Sequence, residues 1–556
     1  MPNNQFFESR KKLNKSNLDQ ETVYNYLEKS AALYPEKPAI IFYDSVVSYA
    51  QLKRQVDCVA GFLQIEFGLK KNTPVMLFLQ NSPQFIIAYY AIIRAEGIIV
   101  PINPMNKSDE LRYYVEDSGS QSLFCAQDLI PRTESLLEDG TLKNIIAVTY
   151  SDYLFKPTDI KLSTEVTDDR HSYCNSNIYN WRDIFQFNYR PNKFRANSQD
   201  ICMVPYTSGT TGRPKGCLID HGNLNHTTVT PAHWISINCD SVVLSALPLF
   251  HAAGMQGSMN QPIYAGATIV LMTRWQPNSA AILIERYKVS YWTCVPTMAL
   301  DFFCNPDLLR FQVKSLVRIG GGGAAMPEAT AEKILQFTGL EYREAYGLSE
   351  TIGATHMNPQ ARPKRNSIGV PINDTESLII DPLTLRQMKT NEEGEIVVRG
   401  PQVFKGYKDN NSATSEAFVE IENHYFFRTG DVGYRDEEGY FFVVDRLKRM
   451  INVSGLKVWP AEIENSLRGH PQVNEACVVG ARDRRKGEIV KALIVLKKSI
   501  SDEITCEEII TWARSRLSPY KVPVIMDFVD YLPKTATGKI MWRKLQEEED
   551  RKTINL

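Results

Sequence analysis

The chain has 556 residues, more than one hydrophobic core usually accommodates, so we expect at least two domains. Apolar residues make up 43% of the chain and charged residues 23%, which is typical of a soluble globular protein and excludes a disordered or fibrous one. The 63 basic and 64 acidic residues nearly cancel, so no overall charge draws the chain to nucleic acid or to an anionic membrane. An anionic ligand would have to be bound by local groups.

The ten cysteines contain no CxxC pair, so the sequence predicts neither a zinc site nor disulfide bonds and fits a reducing cytoplasm. The N-terminal residues are polar, unlike a secretory signal. The most apolar stretch, residues 85–100, is interrupted by charged residues and by Gly97, and is shorter than the roughly 20 residues of a membrane-spanning helix. We therefore expect a buried helix and strand there, no transmembrane segment and a cytoplasmic protein; peripheral membrane contact and the oligomeric state stay open.

Helical and β-rich segments alternate along much of the chain. From Leu52 to about Val100, helical segments are followed by short runs such as PVMLFL and GIIVPI, and the alternation resumes after Ser241 with VVLSALPLF, GATIVLM, VSYWTCVP and LVRIGGGG. This order predicts parallel strands joined by crossover helices, with ligands bound at the carboxyl ends of the strands. Residues 151–198 are polar and poorly periodic, and we interpret them as a surface excursion without an assigned function.

The pattern changes in the last part of the chain. After Tyr346, short strands separated by turn residues predict a small antiparallel, barrel-like subdomain, and from Arg446 helices alternate with strands again. The expected fold is α/β, with a large N-terminal domain of layered α/β subdomains plus the small β-barrel-like subdomain, followed by a small α+β C-terminal domain. The predicted boundaries are residues 1–445 and 446–556.

The segment YTSGTTGRPKG, residues 206–216, is the most distinctive motif of the sequence. Its glycines allow backbone amides to approach an anion, its hydroxyl groups donate further hydrogen bonds, and its lysine adds a positive charge. The spacing differs from that of the P-loop motif. The ordered run and its closing Pro-Lys-Gly indicate a phosphate-binding loop rather than a flexible linker. The residues of this loop are Thr207, Ser208, Gly209, Thr210, Thr211, Gly212 and Lys215.

A second glycine-rich segment, GGGGAA at residues 320–325, follows the strand LVRI and precedes a predicted helix. It formally matches the GxGxxA pattern of dinucleotide-binding folds, so a nicotinamide oxidoreductase is one hypothesis. The motif lies deep in the chain and lacks the N-terminal unit expected around a nicotinamide site, which makes this hypothesis a distant alternative.

The phosphate loop resembles the signature loop of the adenylate-forming superfamily, which includes acyl-CoA synthetases, luciferases and peptide-synthetase adenylation domains. YGLSET, which begins at Tyr346, is similar to the second core motif of that superfamily. The resemblance implies that Tyr346 stacks on adenine, Ser349 contacts phosphate and Glu350 binds Mg²⁺ with Thr207. Independently, magnesium is usually held by one or two carboxylates and by phosphate oxygens.

The same resemblance gives the glycine-rich strand end a place between adenine and the acyl pocket. Gly323, Ala324, Ala325 and Gly347 would then belong to the nucleotide site.

The segment RTGDVGYRDEEGYFFVVDRLKRMINVSGLKVWPAEIE resembles the ribose-binding and hinge region of the superfamily. By this resemblance Asp431 binds the ribose hydroxyls, Arg446 contacts the nucleotide and Lys448 is the hinge of a mobile C-terminal domain. Ser454 and Gly455 would lie where the pantetheine arm of CoA approaches the adenylate.

Near the C-terminus, PKTATGKIMWRKL resembles the motif whose lysine, here Lys539, reaches the carboxylate and the α-phosphate during adenylation. Attack of a carboxylate on the α-phosphate brings two anions together, so positive charge and positioning must offset their repulsion. In this superfamily the C-terminal domain then rotates, which separates adenylation from thioester formation. A non-catalytic nucleotide-binding module would predict loss of Glu350, Lys539 or Asp431, and all three are present.

His251 in PLFHAAG resembles the superfamily histidine near the acyl entrance, although a lone histidine at the end of an apolar strand is more often a core residue. The predicted acyl pocket is narrow, apolar and deep. It would be lined by His251, Gly254, Gly257, Gly321 and Gly322.

His221, His226 and His233 could suggest a metal cluster. Their spacing does not bring all three to one helical face, and no carboxylate ligand motif accompanies them. We therefore expect these histidines in a loop.

The resemblance covers nearly the whole chain and implies an ATP-dependent acid–CoA ligase that uses ATP, Mg²⁺ and CoA. HAAGMQGSMNQ lacks the aspartate that would hold an α-amino group, which disfavours amino acids and favours a medium- or long-chain fatty acid. Short, aryl and carnitine-type acids stay open, as does a carrier protein in place of free CoA. The expected partners are the carboxylic acid, ATP and CoA, without nucleic acid.

Overall fold

The protein consists of two units, each defined by its own internal contacts. The structure is a computed structural model, and it describes residues 21–207, 213–308, 310–453, 456–483, 487–497, 504–535 and 538–554. The first unit comprises residues 1–376 and 399–419, and the second comprises residues 377–398 and 420–556. The division places residues 377–398 and 420–445 with the C-terminal part of the chain. The domain boundary between residues 445 and 446 therefore stays a prediction.

The strands of the first unit are mostly short and buried. In chain order they are β1 Pro38–Phe42, β2 Ser45–Ser48, β3 Pro74–Phe78, β4 Ile98–Pro101, β5 Ser122–Ala126, β6 Asn144–Val148, β7 Ile178–Asn180, β8 Ile201–Met203, β9 Tyr206–Thr207, β10 Lys215–Gly216, β11 Ile219–Asp220, β12 Val242–Ser245, β13 Thr268–Leu271, β14 Tyr291–Thr293, β15 Arg318–Gly321, β16 Arg343–Leu348, β17 Gly353–Met357 and β18 Val370–Pro371.

The helices of the first unit connect these strands. They are α1 Val23–Leu33, α2 Tyr49–Ile65, α3 Pro83–Arg94, α4 Ser108–Ser118, α5 Glu134–Glu138, α6 Thr164–Thr167, α7 Ile184–Phe187, α8 His221–Trp234, α9 Ala252–Met255, α10 Gln261–Ala265, α11 Pro277–Tyr287, α12 Pro296–Phe303, α13 Glu328–Thr338 and α14 Asn411–Glu416. Shorter 3-10 turns lie at Gln127–Arg132, Tyr150–Tyr153, Pro306–Leu308 and Ser349–Thr351, and a π-helix lies at Gln256–Asn260.

Two large sheets organise the described part of the first unit. One has nine strands in the order β18-β17-β16-β15-β14-β12-β13-β1-β2, and the other has seven in the order β11-β8-β4-β3-β5-β6-β7. Strands β1 and β12 to β16 pair in parallel, as do β3 to β8. Parallel strands need crossover helices, so the predicted α/β layering is confirmed.

The most apolar stretch forms a buried helix and strand, as predicted. Helix α3 begins after Ser82, whose hydroxyl accepts a hydrogen bond from the Phe85 N–H, and it carries a proline in its first turn. Its apolar side chains are buried on all sides, and β4 follows. No helix in the described ranges is long and apolar enough to cross a bilayer.

Residues 151–198 are more than a surface excursion, so that interpretation is wrong in part. They contribute β7, an edge strand of the seven-stranded sheet, and Trp181, whose side chain is fully buried. Gly61 of α2 explains the close packing, because a Cβ there would lie 2.8 Å from the Tyr189 carbonyl carbon. The strand and the buried tryptophan were not predicted because few residues of the segment are apolar, and those few make its buried contacts.

The second unit contains two smaller sheets. Its strands, some of which reach the unit boundaries, are β19 Glu376–Ile380, β20 Gly394–Arg399, β21 Phe418–Ile421, β22 His424–Arg435, β23 Phe441–Arg446, β24 Ile451–Val453, β25 Leu456–Val458, β26 Val473–Asp483, β27 Gly487–Leu496 and β28 Ile525–Phe528. Its helices are α15 Pro460–Arg468, α16 Cys506–Arg514 and α17 Trp542–Ile554, with a 3-10 turn at Leu447–Arg449. A core that includes Ile463, Val478, Ile494 and Ile509 joins α15 and α16 to the β26–β27 hairpin.

Candidate active site

The phosphate loop is bracketed by a two-stranded antiparallel ribbon. Thr207 in β9 pairs with Lys215 in β10, and Tyr206 pairs with Gly216. The other predicted loop residues, Ser208, Gly209, Thr210, Thr211 and Gly212, lie outside the described residues. The ribbon therefore holds the first and last predicted residues of the loop, Thr207 and Lys215, directly opposite each other.

Tyr206 anchors the start of this ribbon. Its hydroxyl donates a hydrogen bond to Asp117 Oδ2 at 2.5 Å, and its ring packs edge-to-face against Tyr114 with centroids 4.8 Å apart. Burial and the Asp117 carboxylate both raise the pKa of the Tyr206 hydroxyl, which therefore stays a hydrogen-bond donor. Asp117 was not predicted, because nothing in the local sequence of α4 links it to the loop.

Tyr407 joins two of the predicted residues. Its hydroxyl donates a hydrogen bond to Glu350 Oε1 at 2.9 Å, and Lys215 Nζ lies 5.0 Å from the centroid of its ring. Burial and the Glu350 carboxylate raise the pKa of the Tyr407 hydroxyl, so it stays protonated beside the carboxylate. The Phe404 N–H donates to the Glu350 carbonyl at 2.8 Å, which fixes the 3-10 turn that carries Ser349 and Glu350. The role of Tyr407 was not predicted either.

Tyr346 and Gly347 lie near the end of β16, where it pairs with β17. Tyr346 is opposite His356, and their rings meet edge-to-face with centroids 5.8 Å apart. Burial lowers the pKa of His356 to about 3, so this neighbour of Tyr346 is neutral. A Cβ on Gly347 would lie 1.9 Å from the Gly353 carbonyl oxygen, so no larger residue fits where the two strands approach.

The glycine-rich strand end is equally crowded. A Cβ on Gly321 would lie 2.1 Å from the Cys294 carbonyl oxygen, and one on Gly322 would lie 2.1 Å from the Ala345 carbonyl oxygen. Gly323 follows with a φ of +93°, a conformation that favours glycine. Ala324 and Ala325 then lead, exposed, toward α13. The five predicted glycines and alanines at this edge therefore present backbone with little side chain.

Glu344 fixes the turn after these glycines. Its Oε1 accepts a hydrogen bond from the Met326 N–H at 2.9 Å, and the side chain is buried. Burial raises the pKa of Glu344 to about 7, and the Met326 N–H opposes this shift. Glu344 lies two residues before Tyr346, so one strand carries both the predicted adenine contact and the group that holds the glycine-rich turn. The sequence offered no sign of this role.

His251 immediately precedes α9, which continues into the π-helix. π-Helices are rare and frequently occur at functional sites. The His251 ring packs against Phe250 with centroids 4.6 Å apart. A Cβ on Gly254 would lie 2.2 Å from the Pro248 carbonyl oxygen, whereas one on Gly257 would lie 3.2 Å from the Thr293 side chain. Close backbone packing therefore accounts for Gly254, and Gly257 faces β14.

Buried hydrogen bonds hold the π-helix in place. Asn260 accepts a hydrogen bond from the Tyr90 hydroxyl at 2.8 Å and donates one to the Tyr89 hydroxyl at 2.9 Å. Gln256 Nε2 donates to the Thr227 hydroxyl oxygen at 2.9 Å. This network ties the segment after His251 to α3 and α8. Such buried networks are rigid when their groups are satisfied.

The second unit brings three further predicted residues together. Asp431 in β22 pairs with Arg446 in β23, and the Arg446 guanidinium Nε lies 2.8 Å from Asp431 Oδ1. Desolvation and, next, the Arg446 charge lower the pKa of Lys539, while Asp431 acts in the opposite direction. The Lys539 side chain nevertheless keeps a solvent-exposed surface. Asp431 is therefore a buried carboxylate that interacts with both cations.

Lys448 lies in the 3-10 turn after β23, and Ser454 and Gly455 lie outside the described residues. The three histidines of the possible metal cluster are all in α8, so the expectation of a loop is wrong. Asp220 caps this helix by accepting a hydrogen bond from the Asn223 N–H at 2.8 Å, which starts the helix at His221. Within the described ranges, no group of three or more histidine, cysteine, aspartate or glutamate residues is placed to hold a metal ion.

Comparison with known proteins identifies the family. The model of the AMP-binding enzyme family matches residues 27–408, and that of the AMP-binding enzyme C-terminal domain matches residues 462–539. The chain is 33% identical over 546 residues to a long-chain-fatty-acid–CoA ligase of Bacillus subtilis strain 168, with coverage of 96% of this chain and 95% of that protein. It is 31% identical over 515 residues to a feruloyl-CoA synthase of an Amycolatopsis species, with coverage of 92% and 96%.

The fold is also similar to that of o-succinylbenzoate CoA synthetase from Bacillus subtilis, whose structure was solved in complex with the acyl-adenylate intermediate. The TM-score is 0.79 and the sequence identity 26%, and the match covers 95% of this chain and 98% of that chain. The fold is therefore that of the adenylate-forming enzymes. The chain belongs to the AMP-binding enzyme family, and the predicted class of enzyme, an acid–thiol ligase, is confirmed.

The raised pKa of Glu344 predicts a pH dependence of stability. Between the ordinary pKa of a glutamate and about 7, the folded state binds more protons than the unfolded state, so stability falls as pH rises through this window. Glu344→Gln should remove this contribution and reduce the loss of melting temperature between pH 5 and pH 8 by on the order of 5 °C. Thermal unfolding across this range measures the effect. Glu341→Gln, at a surface ion pair with Arg365, is the matched control, and equal pH profiles for Glu344→Gln and wild type would contradict the assignment.

Proposed function

We propose that the protein activates a medium- or long-chain fatty acid with ATP and Mg²⁺ and transfers the acyl group to CoA. The observation that carries this proposal is the arrangement of Lys215, Tyr407 and Glu350 at the base of the predicted phosphate loop. A cation, the hydroxyl of a half-buried tyrosine and a carboxylate meet there beside the residues expected to bind the triphosphate. The long-chain-fatty-acid–CoA ligase among the relatives supports an aliphatic acid.

The donor set in the first unit suits magnesium. Glu350 offers a carboxylate whose orientation is set by Tyr407, and Thr207 offers a hydroxyl at the start of the loop. Oxygen donors of this kind, together with phosphate oxygens, are what Mg²⁺ prefers. The bound ion would neutralise part of the triphosphate charge. Lys215 and the loop amides would supply the remaining positive potential, and Ser349 a phosphate contact.

The nucleotide and acid would use the glycine-edged strand ends. We assign Tyr346 and Gly347 to the adenine, together with Gly323, Ala324 and Ala325. The small residues leave the backbone open to a flat ring. The neutral His356 ring packs edge-to-face against the Tyr346 ring and so helps to position it. The acyl chain would extend past His251 and Gly257 into the space bordered by Gly321 and Gly322.

The second unit would supply the charges for the reaction. Asp431 would accept hydrogen bonds from the ribose hydroxyls, and Arg446, paired with Asp431, would contact the nucleotide. Lys539 would bring its ammonium to the carboxylate and the α-phosphate. Lys448 would be the hinge, and Ser454 and Gly455 the CoA contacts.

Two displacements follow from this arrangement. A carboxylate oxygen of the acid bonds to the α-phosphorus, and the bond from that phosphorus to pyrophosphate breaks. The CoA thiol then loses its proton and attacks the acyl carbon of the mixed anhydride, and AMP leaves. No side-chain nucleophile is needed, so positioning and positive charge carry the catalysis. Because all ten cysteines are free thiols, we propose the reducing cytoplasm as the compartment.

The proposal is tested by measuring pyrophosphate release with ATP and Mg²⁺ across C2 to C18 fatty acids, cinnamates and amino acids, with and without CoA. We expect an optimum among the fatty acids and turnover that requires CoA. Acid-dependent release without thioester formation would indicate a carrier protein as acceptor. Absence of pyrophosphate release with every acid tested would overturn the proposal.

Replacing Lys539 separates the half-reactions. Lys539→Ala should lower the rate of adenylation by about 100-fold or more, because it removes the charge opposite the developing anion. Thioester formation from supplied acyl-adenylate should be nearly unchanged. Lys534→Ala, which removes a nearby lysine paired with Glu475, is the matched control. An equal loss in both half-reactions would contradict the assigned role.

Replacing Tyr407 tests the magnesium assignment. Tyr407→Phe removes the hydroxyl that orients Glu350, and a hydrogen bond to a charged group is worth about 1.5–3 kcal/mol. We expect kcat/KM to fall about 10-fold at low Mg²⁺ and to recover in part at high Mg²⁺. A Mg²⁺ titration of wild type, Tyr407→Phe and the exposed control Tyr425→Phe measures this. An unchanged Mg²⁺ dependence would refute the assignment.

A further inference from the structure

The guanidinium of Arg318 is buried and has no acceptor among the residues that the structure describes. Arg318 is the first residue of β15, its side chain is 8% exposed, and its Nη1 is sealed from solvent with no acceptor. Within the described part of the chain its guanidinium forms neither a hydrogen bond nor an ion pair, whereas its backbone N–H donates to the Ser290 carbonyl at 3.2 Å. Burying a guanidinium without a carboxylate or carbonyl acceptor is costly, so buried arginines are normally paired. The pairing group of Arg318 therefore has to come from elsewhere.

The groups around Arg318 make an anionic partner still more favourable. Desolvation and, next, the nearby Arg343 lower the pKa of Arg318 to about 9. The other groups that act on the pKa of Arg318 are the phenols of Tyr291 and Tyr342, which act in the raising direction, and neither is a carboxylate. Arg343 donates one long hydrogen bond, at 3.3 Å, to the Gln360 carbonyl, and its own Nε is buried without an acceptor. Two adjacent guanidinium groups thus create a positive potential that favours an anion.

Strand register places both arginines on the face of the sheet that borders the predicted acyl pocket. Tyr291 pairs with Arg318, Thr293 pairs with Gly320, and Gly320 pairs with Arg343. Paired residues, and residues two apart in one strand, project to the same face. Thr293, Arg318 and Arg343 therefore share that face.

Gly257 connects this face to the predicted acyl pocket. A Cβ on Gly257 would lie 3.2 Å from both Thr293 Cγ2 and Oγ1, and both residues keep partial exposure. Arg318 lies two residues before Gly320 in β15, and this separation is about 7 Å along the strand. The neighbouring positions on this face are Gly320, Ala345 and Tyr291, and Tyr291 and Ala345 pack at the edge of an apolar cluster that contains Ile235. Tyr291 and Ala345, like Thr293, keep partial exposure, so this face is not sealed between Gly257 and Arg318.

We propose that Arg318 binds a second carboxylate at the far end of the acyl substrate, so that the preferred acid is a medium-chain α,ω-dicarboxylic acid. This inference rests on the proposed function, because it takes the Gly257–Thr293 side of the sheet as the acyl pocket. The forked guanidinium matches a carboxylate in two parallel hydrogen bonds, and Arg343 adds positive charge. A plain alkyl chain would leave the buried charge uncompensated. An ω-carboxylate would replace the solvation that Arg318 lost on folding.

The test compares hexanoate, octanoate and decanoate with hexanedioate, octanedioate and decanedioate as substrates of the full-length chain with ATP, Mg²⁺ and CoA. We expect wild type to prefer a diacid over the monoacid of equal length by at least about 10-fold in kcat/KM. Arg318→Met should lose that preference by at least about 10-fold while its activity on the monoacid is kept or raised. Arg318→Lys, which keeps the charge but not the fork, should retain part of the preference.

A second readout does not depend on turnover. Octanedioate should raise the melting temperature of wild type and not that of Arg318→Met, whereas octanoate should shift both equally. The control Arg365→Met removes an arginine of a surface ion pair and should behave as wild type. Equal use of monoacids and diacids by wild type, or equal losses on both in Arg318→Met, would overturn the inference and leave the proposed function intact. Inactivity of wild type on every acid would instead overturn the proposed function, and the diacid-dependent thermal shift would still decide the role of Arg318.

Discussion

The close approach of backbones at the carboxyl edge of the nine-stranded sheet is the constraint on which the site depends. Carbonyl oxygens of neighbouring strands occupy the space that a Cβ would need at Gly321, Gly322 and Gly347. The strand ends consequently present bare backbone, and the turn that carries Glu350 follows directly. Larger residues would separate the strands and displace both Tyr346 and Glu350. The glycines are therefore structural requirements of the same edge that is proposed to bind nucleotide and acid.

Charge in both units is controlled by burial and by specific partners. Glu350 is held by the Tyr407 hydroxyl, and Asp431 by Arg446. Buried charges are stable when they are paired in this way and costly when they are not. Arg318 departs from this pattern, since the described chain gives it no acceptor. That departure is what singles it out from the many buried residues of the first unit.

Periodicity predicted the layered α/β fold and the buried segment around α3, and the resemblance to the adenylate-forming superfamily predicted the class of enzyme. They failed where side-chain contacts decide the structure. Because residues 151–198 are mostly polar, their sequence did not indicate the edge strand β7 or the burial of Trp181. The histidine spacing suggested a loop, but the Asp220 cap and burial of the segment make it a helix. Asp117, Glu344 and Tyr407 were missed because each acts on a residue that lies elsewhere in the sequence.

The sequence by itself determined the order of the motifs and the residue types available for chemistry, and through the resemblance of those motifs the family, because each motif is a local run of residues. The tertiary structure alone decided which of these residues meet. Glu350 and Tyr407 are 57 residues apart, and only the packing of their loops joins them. The parallel register likewise decided that Arg318 shares a face with Thr293. Contacts between distant segments arise from packing and strand pairing, which no local pattern in the chain records.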